Sequence, residues 1–418
     1  MKVLHIAAHM GGGIGAAYAG LGTCGLDQRI VLLEEPIDNA SFSRVEQRGF
    51  AVDICPSREA LTNMLKDSDI VLFNWSHHPA VTALMCDFPS VPIRSMLWVH
   101  VSGNYFPAIQ PNFLSLFDQC VFATPFSLEL PQIKAMGQDY AKEHFEVVYG
   151  LGDLSRFFHV QPRQHEGFVV GYVGTLNPCK LNADFMDYAA AAVDVIPDIR
   201  FVFAGDPQNK DELLKKASSL GIYDRINILG RVNDIPALLS KIDVFGYLLN
   251  PQHYGATENA LLEAMAAGVP AVALEQCVER LIIEDGKTGL LVKNKAEFAM
   301  ALKNLHTDAA LRTKIMENAR RQTLERYAIE ANRERMVLRY NRCMKSSKRL
   351  IDFLDFFGST PSDWFLSAVE ADKDCFIENR AYNAGRIFHE KTKGAPAHYL
   401  SYFRNDVRLA GWANNIQK

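Results

Sequence analysis

Residues 168–205, FVVGYVGTLNPCKLNADFMDYAAAAVDVIPDIRFVFAG, decide the fold. A run rich in β-branched and aromatic residues stops at a glycine, a segment with helical periodicity follows, and a second apolar run ends in Ala-Gly. Strand, helix, strand in this order reads as one right-handed βαβ unit of a parallel sheet. The alternation continues with the helix KDELLKKASSLG, the strand INILGRV, the helix DIPALLSKI, the strand VFGYLLN, a helix inside HYGATENALLEAMAAGVP (residues 253–270) and the strand AVALEQ. Upstream, KVLHIAA, QRIVLLE, DIVLFNW, RSMLWVHV, QCVFAT and FEVVYG read as strands, separated by helical segments such as SREALTNMLKD. Two α/β domains are expected, each a doubly wound parallel sheet. The stretch HVQPRQHEG is polar, lacks apolar periodicity and contains a proline, which puts the domain boundary near residues 158–167. The expected domains are 1–160 and 166–325, followed by a helical crossover and C-terminal extension over 326–418.

A chain of 418 residues suffices for two or three domains. With 48% hydrophobic and 22% charged residues and a net charge of −4, it is no fibre, disordered chain or general nucleic-acid binder. The N-terminal apolar run is broken by His5 and His9 before it reaches signal-peptide length, and no run of roughly 18 apolar residues follows, so a cytoplasmic protein is expected. The eight cysteines form no CxxC pair, which fits free thiols and no metal site. Residues 320–349 hold ten Lys or Arg against three Glu, and this local charge of +7 suggests a peripheral contact with an anionic membrane. The tail beyond Leu350 carries Trp364, Phe365, Tyr399, Tyr402, Phe403 and Trp412, at spacings that suggest helices packed back onto the first domain.

Two tandem doubly wound domains place a ligand in the cleft at the carboxyl ends of their strands. Four segments supply candidates. Gly11, Gly12, Gly13 and Gly15 follow the first strand, where tight turning brings helix N–H groups close to an anion. Read as a dinucleotide fingerprint from Gly11 to Ala16, the same loop would pair with Glu34 or Glu35 on a ribose. Lys180 in VGTLNPCK is a point cation at the rim of the second sheet, and His100 closes the apolar strand LWVH. In the segment 253–270, Thr257 is placed to N-cap the helix and Glu258 to sit at the positive end of its dipole; Leu262, Met265 and Ala266 face the core, and Gly268 with Pro270 ends the helix. Glu263 is turned roughly 140° away from Glu258 and has no such structural use, whereas a ribose diol would satisfy both its oxygens.

These motifs in this order resemble the retaining, nucleotide-sugar-dependent glycosyltransferases of family 4, whose GT-B architecture has two facing Rossmann-like domains. The resemblance is clearest from Phe168 to Tyr327, through VGTLNPCK, FVFAGD, LGRVNDIPALLSKIDVF, NALLEAMAAGVPAVAL and IIEDGKTGLLV, and looser in the first domain through GGGIG, His100 and VVYGLGDLSRF. It implies a metal-independent hexosyltransferase with no cofactor. A UDP- or GDP-sugar is then the donor, and a glycan, lipid-linked or other hydroxyl group the acceptor, in polysaccharide, glycolipid or glycoconjugate synthesis. It also implies that Lys180 meets the donor diphosphate, Glu263 the ribose, Arg231 and Val232 the base, His100 the donor sugar, and Gly12 and Gly13 the diphosphate. By the same resemblance Thr175, Asn259, Ala260 and Leu261 are expected to line the donor site, and Glu258, mainly the start of the helix, to have a second role at the sugar. The family's arginine after the VG glycine is Thr175 here, and the position of its first paired glutamate, eight before Glu263, is Gly255. Two other readings are an NAD-dependent oxidoreductase using Gly11–Ala16, and a catalytically silent donor-binding subunit.

Overall fold

The structure is a computed structural model that describes residues 1–36 and 39–416. It divides into two compact units: Met1–Gly152 with Tyr254–Thr257 and Ile329–Lys418, and Asp153–His253 with Glu258–Ala328. Gln417 and Lys418, the end of the expected extension, lie outside the described residues.

Unit 1 holds seven strands, β1 (Lys2–Ala7), β2 (Asp27–Leu32), β3 (Ala51–Ile54), β4 (Ile70–Trp75), β5 (Ser95–Val99), β6 (Gln119–Phe122) and β7 (Phe145–Val147). They form one sheet in the order β3-β2-β1-β4-β5-β6-β7, all parallel. The central strands β4 and β5 are buried at every residue, which explains their unbroken apolar runs. The strand β3, AVDI, does not stand out in the sequence because it is a short, half-exposed edge strand.

Unit 2 holds β8 (Phe168–Val173), β9 (Ile199–Ala204), β10 (Ile226–Gly230), β11 (Val244–Tyr247), β12 (Ala271–Leu274) and β13 (Leu290–Val292), in the order β10-β9-β8-β11-β12-β13. Each unit therefore has the Rossmann strand order, and the expected GT-B class of two such units is what the chain adopts.

The unit limits differ from those read in the sequence. Residues 153–165 belong to unit 2, where the turn Ser155–Phe157 packs on the helix Asn259–Ala267. The region expected as a separate extension is part of unit 1 from Ile329 onward. There its aromatic residues join those of the sheet and of the short helix Pro111–Leu114: Phe353 meets Phe73 at 5.7 Å between ring centroids, Phe357 meets Trp75 at 5.9 Å, and Phe356 stacks on Phe113 at 4.9 Å. Further out, Phe365 is fully buried among Phe376, Phe388, Tyr399 and Trp412.

Most of the basic side chains in 320–349 hold the fold together. Arg320 donates to the Ala267 carbonyl, Arg333 to those of Gly20 and Leu21, Arg339 and Arg342 to those of Lys142 and Glu143, Lys348 to that of Ser68 and Arg349 to that of Leu116.

Candidate donor site

The strand order of unit 2 reverses between β8 and β11, so connections leaving their carboxyl ends diverge and open a crevice there. Glycine keeps this point clear. Gly205, just past β9, has φ +147°, and a Cβ on it would come within 1.8 Å of the Gly174 carbonyl oxygen. The loops after β8 and β11 are tied together: the Asn250 N–H donates to the Lys180 carbonyl (2.9 Å), the Asn182 N–H to the Leu248 carbonyl (3.1 Å), and Asn250 Nδ2 to the Pro178 carbonyl (2.5 Å).

That lacing brings Lys180 to Glu258. Lys180 Nζ lies 2.6 Å from Glu258 Oε2, and the Tyr247 hydroxyl donates to the same oxygen. His253 Nδ1 is 3.7 Å from Glu258 Oε1, and its Nε2 is 3.2 Å from Glu279 Oε1. His253, Glu258 and Glu279 are all buried, whereas the Lys180 side chain keeps 16% of its surface in solvent. The result is a row Lys180, Glu258, His253, Glu279 in which basic and acidic side chains alternate from the crevice into the core. Burial pushes the Glu258 carboxyl upward, but the charges of Lys180 and His253 and the hydrogen bonds from Lys180 and Tyr247 outweigh it and hold the group below the usual glutamate range. Burial, and then the Glu258 charge, raise the Tyr247 phenol well above its ordinary value. Thr175 joins the same loop, its carbonyl accepting the Tyr172 hydroxyl at 3.0 Å.

The helix start differs from the sequence expectation. Thr257 does not cap the helix: its hydroxyl accepts the Gly150 N–H and donates to the Ala123 carbonyl, both at 2.8 Å within unit 1. Glu258 occupies the N-cap with left-handed backbone (φ 54°, ψ 56°) and makes no side-chain cap; its carboxylate is turned to Lys180 instead. The helix then runs as expected, with Leu262, Met265 and Ala266 buried and Gly268 ending it at φ +75°. Leu261 is fully buried in the core, so its side chain is not a ligand contact. Asn259, Ala260 and Glu263 are half-buried. Arg231 pairs with Asp206 at 2.9 Å and is largely exposed, beside a half-buried Val232. Tyr247, His253 and Glu279 were missed, because in sequence they are a strand tyrosine, a loop histidine and a helical glutamate with nothing to mark them.

His100, Gly12 and Gly13 belong to unit 1. His100 follows β5, with Nε2 2.9 Å from Asn74 Oδ1, and burial lowers its pKa to about 3. Gly12 (φ +56°) and Gly13 open the helix Gly12–Leu21, and a Cβ on either would meet nothing within 4 Å.

Among the described residues two clusters have the residue types of a metal site, His9-Glu34-His78 and His253-Glu258-Glu279. In the second, the two histidine nitrogens face different carboxylates, which is the geometry of a bridging imidazole. In the first, His78 Nδ1 accepts the Ala80 N–H at 3.3 Å, so a neutral His78 carries its proton on Nε2, 3.8 Å from Glu34 Oε2.

The segment that builds this site, residues 155–322, matches the family Glycosyl transferases group 1. The Bacillus subtilis protein EpsD is 28% identical over 234 residues, which are 53% of this chain and 59% of EpsD. The lipopolysaccharide core biosynthesis glycosyltransferase LpsE of Rhizobium meliloti is 30% identical over 142 residues, 34% of this chain and 41% of LpsE. The chain thus spans about three fifths or less of the curated relatives it matches. Among solved structures, Anabaena HepE in complex with UDP-glucose is similar in fold at TM-score 0.66, with 19% identity over 82% of this chain and 99% of HepE. Residues 155–322 are thus similar to group 1 glycosyltransferases, and the two units have the GT-B fold.

Proposed function

We propose that the chain is a retaining glycosyltransferase that moves a hexose from a nucleoside-diphosphate sugar to an acceptor hydroxyl, in the synthesis of a polysaccharide, glycolipid or glycoconjugate. The observation that carries this reading is the Lys180–Glu258 pair at the switch point of unit 2, inside the segment that matches the family. An ammonium held there, with part of its surface open, can neutralise the charge that develops on a leaving diphosphate. Glu263 holds the ribose through its carboxylate, and Arg231 and Val232 flank the base. HepE binding UDP-glucose supports a UDP-sugar as donor. The mechanism asks for no cofactor and no metal of its own: positioning the acceptor hydroxyl and stabilising the diphosphate supply the catalysis.

The acceptor is a hydroxyl of a glycan or lipid-linked sugar, met at the inner face of a membrane through a peripheral contact. No helix among the described residues is long and apolar enough to cross a membrane. With six of the ten basic side chains in 320–349 tied to backbone carbonyls, that contact falls to the exposed Arg321, Arg326 and Lys345.

The test is donor binding and turnover. UDP, GDP, ADP and NAD are titrated in thermal-shift assays, and UDP-glucose, UDP-galactose, UDP-N-acetylglucosamine and GDP-mannose are followed for hydrolysis and transfer. Stabilisation by UDP or GDP with loss on Glu263→Gln is expected. Stabilisation by NAD alone would return the oxidoreductase reading, and binding without hydrolysis or transfer would return the silent subunit.

A further inference from the structure

We infer that His100 acts on its ligand as a hydrogen-bond acceptor through Nδ1, and that Asn74, Tyr18, His5 and Gln28 are positioning residues that fix it in that form. The identity of the ligand group rests on the glycosyltransferase reading; the tautomer rests on geometry alone.

Five hydrogen bonds run in line from His100 across the buried interior of unit 1. His100 Nε2 meets Asn74 Oδ1 at 2.9 Å, Asn74 Nδ2 meets the Tyr18 hydroxyl at 2.7 Å, and that hydroxyl meets His5 Nδ1 at 2.8 Å. His5 Nε2 then meets Gln28 Oε1 at 2.5 Å, and Gln28 Nε2 meets the Thr23 carbonyl at 2.6 Å. Asn74, Tyr18, His5 and Gln28 are each at most 2% exposed, so water does not compete for these bonds.

The direction of every link follows from its two ends, each anchored on a carbonyl that can only accept. Thr23 fixes Gln28 with its amide nitrogen outward, so Gln28 Oε1 accepts and His5 Nε2 carries a proton. A neutral His5 then accepts at Nδ1, and Tyr18 donates to it. At the other end, Asn74 Nδ2 also donates to the Ile6 carbonyl at 3.0 Å, which excludes the flipped amide. With both its N–H groups used, on Ile6 and Tyr18, Asn74 can only accept from His100. The proton of His100 therefore sits on Nε2, and Nδ1 presents a lone pair. Burial keeps both rings neutral near pH 7, lowering His5 to about 4 and His100 to about 3.

The surroundings leave Nδ1 usable. The Trp98 ring, 4.6 Å away between centroids, holds the imidazole plane, and residue 150 is a glycine whose Cβ would stand only 3.7 Å from Nδ1. A lone pair selects a hydroxyl and repels a phosphate oxygen. A group that meets His100 through Nδ1 is thus a hydrogen-bond donor such as a hydroxyl and not an anionic oxygen, and the imidazole donates no proton there.

The experiment is ¹⁵N NMR of the full chain labelled at histidine, assigned with His100→Gln and His5→Gln, between pH 5.5 and 8. Both rings should be neutral with the proton on Nε2 throughout; a His100 with its proton on Nδ1, or one that titrates in this range, overturns the inference. In Tyr18→Phe, checked for folding by thermal unfolding, the His100 signal should become a mixture of tautomers and kcat/KM for the donor should drop roughly 3- to 10-fold, the size of one neutral hydrogen bond. An unmoved tautomer in that variant refutes the positioning chain, and a moved tautomer with unchanged kcat/KM refutes the ligand contact. If the wild type turned over no nucleotide sugar, the proposed function would fall while the tautomer result stood or fell separately.

Discussion

Lys180 Nζ and Glu258 Oε2 are 2.6 Å apart, and the carboxylate side of the pair is almost wholly buried while the ammonium side is not. Lys180→Ala removes the cation proposed to meet the diphosphate, and transfer should fall roughly 10²- to 10³-fold, the scale of one preorganised partner of the transition state. It also strands a buried carboxylate, which costs about 3–5 kcal/mol when a partner is deleted. A lower Tm is therefore expected, and the double variant Lys180→Met/Glu258→Gln should recover stability without recovering transfer. Wild-type turnover in Lys180→Ala would remove the lysine from the mechanism.

Glu258→Gln should tighten the binding of UDP or GDP. The carboxylate neutralises the charge that the diphosphate needs, and two unit charges near 4 Å interact by about 1–4 kcal/mol between water and a protein surface. An affinity gain of several-fold is the expected result, accompanied by a loss of stability, because His253 and Tyr247 also face this carboxylate. Weaker nucleotide binding, measured by calorimetry on a folded variant, would mean that Glu258 holds the donor and does not compete with it.

The pair shows where reading the sequence stopped. The sheets were legible because buried parallel strands are unbroken apolar runs, as in IVLFNW and FVVGYV, and because each ends before glycine or a polar loop. Strands AVDI and LLV were not, since an edge strand of three or four residues carries too little pattern. Lys180, His100 and Glu263 could be singled out from their places at strand ends and inside a helix. Glu258 was read as sitting at the positive end of the helix, which is where it stands, but the sequence could not show the partner of its carboxylate, because Lys180 lies 78 residues away. A left-handed glutamate is about 1–2 kcal/mol less favourable than an ordinary backbone, and only the tertiary contacts with Lys180 and Tyr247 reveal why it is tolerated.

Acid should destabilise unit 1 well above the carboxylate range. His5 and His77 are fully buried, and burial lowers them to about 4 and about 3. The unfolded chain takes up these protons near pH 6.5 and the folded one does not. Stability is thus complete above that pH and declines below it, by about 1.4 kcal/mol per pH unit for each histidine until the folded value is reached. Glu258 acts in the same sense at lower pH: its depressed folded value means that its contribution, present above about 4.5, is lost as the pH falls further. Tm measured from pH 8 to 5 should hold level and then drop below about 6.5; a Tm that is flat down to pH 5 would contradict the burial of these rings.

The C-terminal region should behave as part of the unit 1 core. Phe365 is fully buried, and its ring lies between 5.0 and 6.1 Å, centroid to centroid, from those of Phe106, Phe376, Phe388, Tyr399 and Trp412. The cluster is tied to the helix Pro79–Cys86 by the Tyr399 hydroxyl, 3.0 Å from Thr82 Oγ1, and is closed by Trp412 Nε1 donating to the Phe376 carbonyl at 2.8 Å. Truncating such a side chain to alanine costs about 3–5 kcal/mol, because the surrounding rings cannot collapse into the space. Phe365→Ala should therefore lower Tm by several degrees and expose the segment after Leu350 to trypsin, which has targets there at Lys373, Arg380, Arg386 and Lys393. In the wild type those sites should be cut no faster than the protein unfolds as a whole. Rapid loss of the last ~65 residues from wild type, with Tm unchanged, would show that the tail is not held by the ring cluster and that unit 1 ends near Arg349.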